Sequence, residues 1–147
     1  MKSLLNESDR KELIDRLNRF SSDQRPSWGK MDAKQMITHL VDSLRMSAGE
    51  LQPAPKKSIL SNSLIKRFVI HYWPMPKNVH TAPELIARKA DNIDIEKTQL
   101  ANLIQKYKEF EQREAWPDHP IFGKMSNKDW GVLCYKHIDH HFRQFKI

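Results

Sequence analysis

The C-terminal stretch from Ser126 constrains the fold more than any other part of this chain. Wound at about 100° per residue, Trp130, Leu133, Cys134, His137, Ile138, His141 and Phe145 form one continuous stripe. Such a stripe predicts an amphipathic helix whose marked face is buried. Ser126 and Asp129 stand in a Ser-x-x-Asp arrangement that imitates a capping box and predicts the helix start. Three of the seven histidines fall between His137 and His141. Residues i and i+4 project from the same side of a helix, so His137 and His141 form a pair on the buried stripe. Asp139 points away from the stripe, and His140 flanks it by about 60°.

Three further helical patterns precede this one. Leu13, Ile14, Leu17 and Phe20 predict a helix over about Glu7 to Phe20. Asp32 is a good N-cap and Gly49 a natural residue just past a helix end, so a second helix is expected from Asp32 to about Ala48. Met36, His39, Leu40 and Ser43 share one of its faces. Leu100, Leu103, Ile104 and Tyr107 predict a third long helix from about Asp94 to Glu114. Between the second and third, Ser61 to Trp73 reads as a short basic amphipathic helix with Leu64, Ile65, Phe68, Val69 and Tyr72 on one side. Pro74 and Pro76 stop it, and Thr81 with Pro83 opens another helical turn. No strand-turn-strand series, repeat or low-complexity tract is present. The expected fold is all-α: a single domain over residues 1–147, built as a four-helix bundle with a short extra helix between helices two and three.

The net charge of +7 is local rather than general. From Gln52 to Ala90 there are seven basic residues and one acidic residue, Glu84, so this insertion-like segment carries +6 of the total. Three readings are open for it. It attracts an anionic substrate or thiol cofactor through its field, it contacts phosphate or an acidic membrane surface, or it is a solvated surface whose apolar side packs on the bundle. The last is the default, and no nucleic-acid motif of specific form is present. No apolar run reaches the roughly 18 residues needed to span a bilayer. The N-terminus turns polar too soon for a secretory signal. Cys134 is the only cysteine, so no internal disulfide is possible and a reducing cytoplasm is the expected location.

A buried neutral imidazole needs partners for both ring nitrogens. Metal ligation by one nitrogen with a hydrogen bond from the other is one solution, and ordinary hydrogen bonding is the alternative. His39, on an apolar face of the second helix, makes a third candidate ligand beside His137 and His141. Three protein ligands leave one position on a metal open, as in catalytic rather than structural zinc sites. The His-Glu-x-x-His pattern of metalloproteases is excluded, because Ile138 stands where the glutamate is needed.

The segments Gln35-Met36-Ile37-Thr38-His39-Leu40 and His137-Ile138-Asp139-His140-His141-Phe142-Arg143-Gln144 carry a family resemblance. A mid-helix histidine in the second helix, followed by His-x-x-x-His-x-x-Gln in the last, resembles the DinB-like (YfiT-like) metal-dependent bundle superfamily. Trp28-Gly29-Lys30-Met31 and His119-Pro120-Ile121-Phe122-Gly123-Lys124-Met125 are similar to a branch of uncharacterised bacterial proteins within it. The resemblance implies an up-down-down-up bundle with a divalent metal, zinc or nickel, on His39, His137 and His141. It also implies thiol-dependent transfer or isomerisation with a low-molecular-weight thiol, and a homodimer. The common ending His-Arg-Gly-Gln is His141-Phe142-Arg143-Gln144 here, with the glycine absent and the arginine shifted by one.

Other residues are weighed beside the ligands. His140 is a candidate general base or an exposed polar neighbour. His119, in the loop before the last helix, either faces substrate or braces its loop. Gln144 either orients a ligand or makes a buried hydrogen bond. Cys134 is a fourth soft ligand or, by preference, a small core residue. Trp28, Trp73, Trp116 and Trp130 either line an apolar pocket or anchor the core. Two functions follow. One is a metal-dependent enzyme, a thiol transferase or hydrolase acting on a small molecule. The other is a non-catalytic metal-stabilised bundle that binds an anionic partner through residues 52–90.

Overall fold

Three of the long helices, though not the first, begin where a side chain accepts from the free N–H groups of the first turn. In the computed structural model, which describes residues 1–77, 88, 90 and 92–147, α1 spans Glu7–Asn18, with Asp9 accepting from the Ser3 N–H and the Asn6 side chain. Helix α2 spans Ala33–Ala48 and opens with a complete capping box. The Asp32 carboxylate accepts from the Gln35 N–H at 2.8 Å, and the Gln35 amide oxygen accepts from the Asp32 N–H at 2.9 Å. Gly49 closes α2 at φ +86°, a left-handed conformation that glycine adopts without steric cost. A 3-10 turn, Ile59–Ser61, leads into α3, Ser63–His71, capped by the Asn62 side chain. Helix α4 spans Ile93–Lys106, capped by Asn92, and α5 spans Asn127–Gln144.

The described residues are all-helical, with no strand beyond an isolated bridge between His119 and Gly123. Four helices close a ring, because α1 packs on α4, α4 on α2, α2 on α5 and α5 on α1, while α3 lies against the outside of α5. The core joins Leu13 and Leu17 of α1, Met36, Ile37, Leu40 and Leu44 of α2, Leu100 and Ile104 of α4, and Trp130, Ile138 and Phe142 of α5. Helix α2 is buried on nearly all sides, not only on the face expected.

Three boundaries differ from the periodicity. Helix α4 ends at Lys106 rather than near Glu114. The chain tightens there into turns with Phe110 N–H on the Tyr107 carbonyl and Arg113 N–H on the Phe110 carbonyl. This leaves Tyr107 buried, where its hydroxyl donates to Ser47 Oγ at 2.6 Å. Helix α1 stops two residues before Phe20, and the basic helix runs Ser63–His71, two residues short of the expected span at each end. The helical turn expected at Thr81 and Pro83 lies outside the described residues.

The apolar side of α3 packs on the bundle only in part, with Val69 against the core. Ile70 is its one buried residue, whereas Leu64, Phe68 and Tyr72 face outward. What binds α3 to α5 is largely polar. Lys136 Nζ donates to the carbonyls of Val69, Ile70 and Trp73, and His71 Nε2 lies 2.7 Å from Asp129 Oδ1.

Candidate metal centre

His39 stands mid-way along α2, and His137 and His141 lie one turn apart on α5. Packing α2 against α5 brings the three rings together edge to face, with centroids 4.8–4.9 Å apart. The same ring atom of each converges: His39 Nε2 lies 2.9 Å from His137 Nε2, and His141 Nε2 lies 3.2 Å from it. One ligand atom from each residue lies within 4.8 Å of the others, and this is the trio among the described residues able to hold a metal ion.

The surroundings of His141 select its tautomer. Gln144 Nε2 donates to the Trp28 carbonyl at 2.6 Å, which turns Gln144 Oε1 toward His141 Nδ1 at 2.9 Å. An amide oxygen only accepts, so Nδ1 carries the proton and Nε2 keeps its lone pair facing the other two histidines. The loop residue Trp28 thereby fixes a ligand on the far side of the chain. Gln144 is an orienting residue; no part of the arrangement asks it to act as acid or base.

Burial keeps the two imidazoles of α5 neutral. His137 is held well below the ordinary histidine value by burial first and by His39 and His141 next. Burial, then the neighbouring His39, pushes His141 down to about 3. Neutral imidazoles with lone pairs directed at one point are the form that binds a cation. The two separations to His137 Nε2, 2.9 and 3.2 Å, are near the about 3.3 Å that separates nitrogens bound about 2.0–2.1 Å from a tetrahedral zinc. The donor set therefore suits a divalent cation of borderline softness.

The remaining candidates separate. His140 stays on the flank, half-buried, its ring edge to face with His141 at 5.2 Å and with Trp28 at 5.8 Å. Burial and the Arg143 charge lower its pKa, with a further contribution from Lys77. Lys77 Nζ sits 4.3 Å from the Trp28 ring centre, and the buried Trp28 indole N–H has no acceptor among the described residues. The rim beside His140 thus carries positive charge from Arg143 and Lys77.

His119 is a brace rather than a substrate-facing group. Its Nδ1 accepts from the Ile121 and Phe122 N–H groups, and its ring packs on Phe122 and Trp130. Burial pushes its pKa down to about 4. Cys134 is no ligand, because it is buried beneath the Tyr107 hydroxyl oxygen, 3.0 Å from its sulfur. The four tryptophans do not share a pocket. Trp116 stacks on the buried Trp130, Trp73 is exposed, and Trp28 adjoins His140. The Trp28 carbonyl is the contributor that sequence reasoning missed. A backbone oxygen distant along the chain leaves no trace in residue type or spacing.

A family model described as "Protein of unknown function (DUF1569)" matches residues 2–147. The chain belongs to the DUF1569 family. No curated protein and no solved structure matches it. Within this DUF1569 member the residues quoted for the site, from Trp28 to Gln144, all lie inside the matched span.

Proposed function

We propose that this chain is a metal-dependent enzyme that holds a divalent cation, zinc or nickel, on His39, His137 and His141. The observation that carries the reading is the convergence of three buried Nε2 atoms from two helices, with no fourth ligand among the described residues. Three neutral ligands leave a coordination position for substrate and leave the cation's charge undiminished. Such a cation supplies Lewis acidity, which lowers the pKa of a coordinated water or thiol toward neutrality.

The chain's own residues define the rest of the reaction site. Gln144 and the Trp28 carbonyl keep His141 in its ligating tautomer. His140, neutral at physiological pH and adjacent to His141, is the group available to accept a proton. The Lys77 ammonium over the Trp28 ring suits a substrate with an anionic group. Transfer of a low-molecular-weight thiol to a small electrophile is the favoured reaction class, with hydrolysis as its near variant. The ring of α1, α4, α2 and α5 supports a DinB-like bundle run up-down-down-up, and the buried reduced Cys134 is in keeping with a cytoplasmic protein.

Elemental analysis of the purified protein tests the proposal. Stoichiometric divalent metal is expected in the wild type and its loss in His39→Ala and His137→Ala. A wild type that stays metal-free after reconstitution with zinc and with nickel refutes it. Metal-dependent turnover in a screen of thiols against small electrophiles is the second expected result.

A further inference from the structure

The strongest feature outside the histidine centre is the outward face of α3. Ile59 is 75% exposed, Leu64 78%, Phe68 51%, Tyr72 66% and Trp73 52%. These side chains form a ridge, with the Phe68 ring against Tyr72 at 6.2 Å and against Trp73 at 5.7 Å. Contiguous exposed apolar surface of this kind marks an interaction site.

The ridge is held in place rather than frayed. Lys136 ties the α3 carboxyl end to α5, His71 ties it to Asp129, and Lys66 Nζ donates to the carbonyls of Phe122 and Lys124. The Lys56 N–H adds a bond to the Pro120 carbonyl at 2.7 Å. Polar anchors on the inner side therefore fix the apolar side outward.

The charge around the ridge selects its occupant. From Gln52 to Lys77 there are five basic residues and no acidic residue, and Lys56, Lys57 and Arg67 are exposed. A second copy of the chain is disfavoured, because a two-fold contact would set this positive surface against itself. Single-stranded nucleic acid needs aromatic faces open for bases. Here the Phe68 ring is already packed, and the two most exposed members, Leu64 and Ile59, cannot stack on a base. A short amphipathic helix with Leu and Phe outward, Tyr and Trp at its end and cations on its flanks matches an interfacial lipid-binding element. We propose that α3 and its flanks dock this protein on an anionic lipid surface. No helix among the described residues is long and apolar enough to cross a membrane, so the contact lies in the interfacial plane.

Co-sedimentation with vesicles tests this on the full chain. Wild type should bind phosphatidylcholine vesicles containing phosphatidylglycerol, release at high salt, and bind pure phosphatidylcholine far less. Leu64→Asp/Phe68→Asp alters only exposed side chains and should lower partitioning at least about tenfold. Arg67→Glu should lower it by about fivefold or more, each basic residue at such a surface being worth roughly that factor. Both variants should keep the wild-type helical signal. The proposal is overturned by absence of binding to the anionic vesicles, or by loss in Arg67→Glu with none in Leu64→Asp/Phe68→Asp. It is also overturned by a dimer that Phe68→Asp dissociates, or by oligonucleotide binding lost in the same variants.

Discussion

Acidification should destabilise the metal-free protein well before any carboxylate titrates. In the unfolded chain a histidine titrates near pH 6.5. In the fold, burial holds His119 at about 4 and His141 at about 3. The unfolded state therefore binds more protons throughout the interval between these values. The stability due to neutral burial is present in full above pH 6.5. It falls as pH drops below 6.5, until the folded groups themselves take protons. Going from about pH 7.5 to 5 costs about 2 kcal/mol for each of these two histidines, from a slope approaching about 1.4 kcal/mol per pH unit. The pair contributes about 4 kcal/mol, and His137, also held well below its ordinary value, adds to it. Against a total stability of about 5–15 kcal/mol this is a large fraction. Urea denaturation of chelator-treated protein, followed by far-UV circular dichroism across that pH range, measures it. His119→Asn keeps an acceptor for the two loop N–H groups and should remove about 2 kcal/mol of the pH dependence. A urea midpoint that stays constant between those pH values would refute the reasoning, since it requires the histidines to be charged or exposed in the fold.

Four further outcomes are expected. Gln144→Ala frees the His141 ring and should weaken metal affinity about 10- to 100-fold in competition with a chromophoric chelator. Burial pushes the Cys134 thiol up to about 11, so iodoacetamide at about pH 8 should alkylate native protein at least roughly two-hundred-fold more slowly than denatured protein. Gly131→Ala places a Cβ 2.5 Å from Ser3 Oγ and 2.9 Å from Leu5 Cγ. It should cost about 1–3 kcal/mol in urea titration by displacing the N-terminal strap. Chelation of the metal should leave the far-UV helical signal intact, and an unfolded chelated protein would mark the site as structural.

The parts of the fold that were legible are those specified by neighbours in sequence. Asp32 as N-cap, Gly49 and the Ser126–Asp129 box mark helix ends because capping depends on residues close in sequence. His137 and His141 were legible for the same reason, one helical turn fixing their common side. His39 required only that its face be buried. Periodicity on α3 identified an apolar side but not its direction, because Lys136, His71 and Lys66 anchor that helix through polar contacts. The end of α4 was hidden because Tyr107 stops the helix by turning inward to Ser47 and Cys134, partners distant in sequence. His119 lies in a loop, where no period distinguishes a ring facing substrate from one that accepts two backbone N–H groups.

The way α2 and α5 are joined bears on whether the histidines serve stability or chemistry. A structural metal holds together elements that little else joins. Here the helices already share a core, with Met36, Ile37 and Leu40 of α2 in one cluster with Ile138 and Phe142 of α5. Tyr107 also bridges Ser47 of α2 to Cys134 of α5. Three neutral imidazoles placed inside such a core add desolvated polar atoms where leucines would pack at less cost. Converging their Nε2 atoms adds mutual lone-pair repulsion unless a proton or a cation lies between them. Gln144 and the Trp28 carbonyl hold His141 in that arrangement rather than relieving it. On the proposed reading, a fold that is otherwise joined and still brings these three histidines together keeps them as a site that could hold a cation.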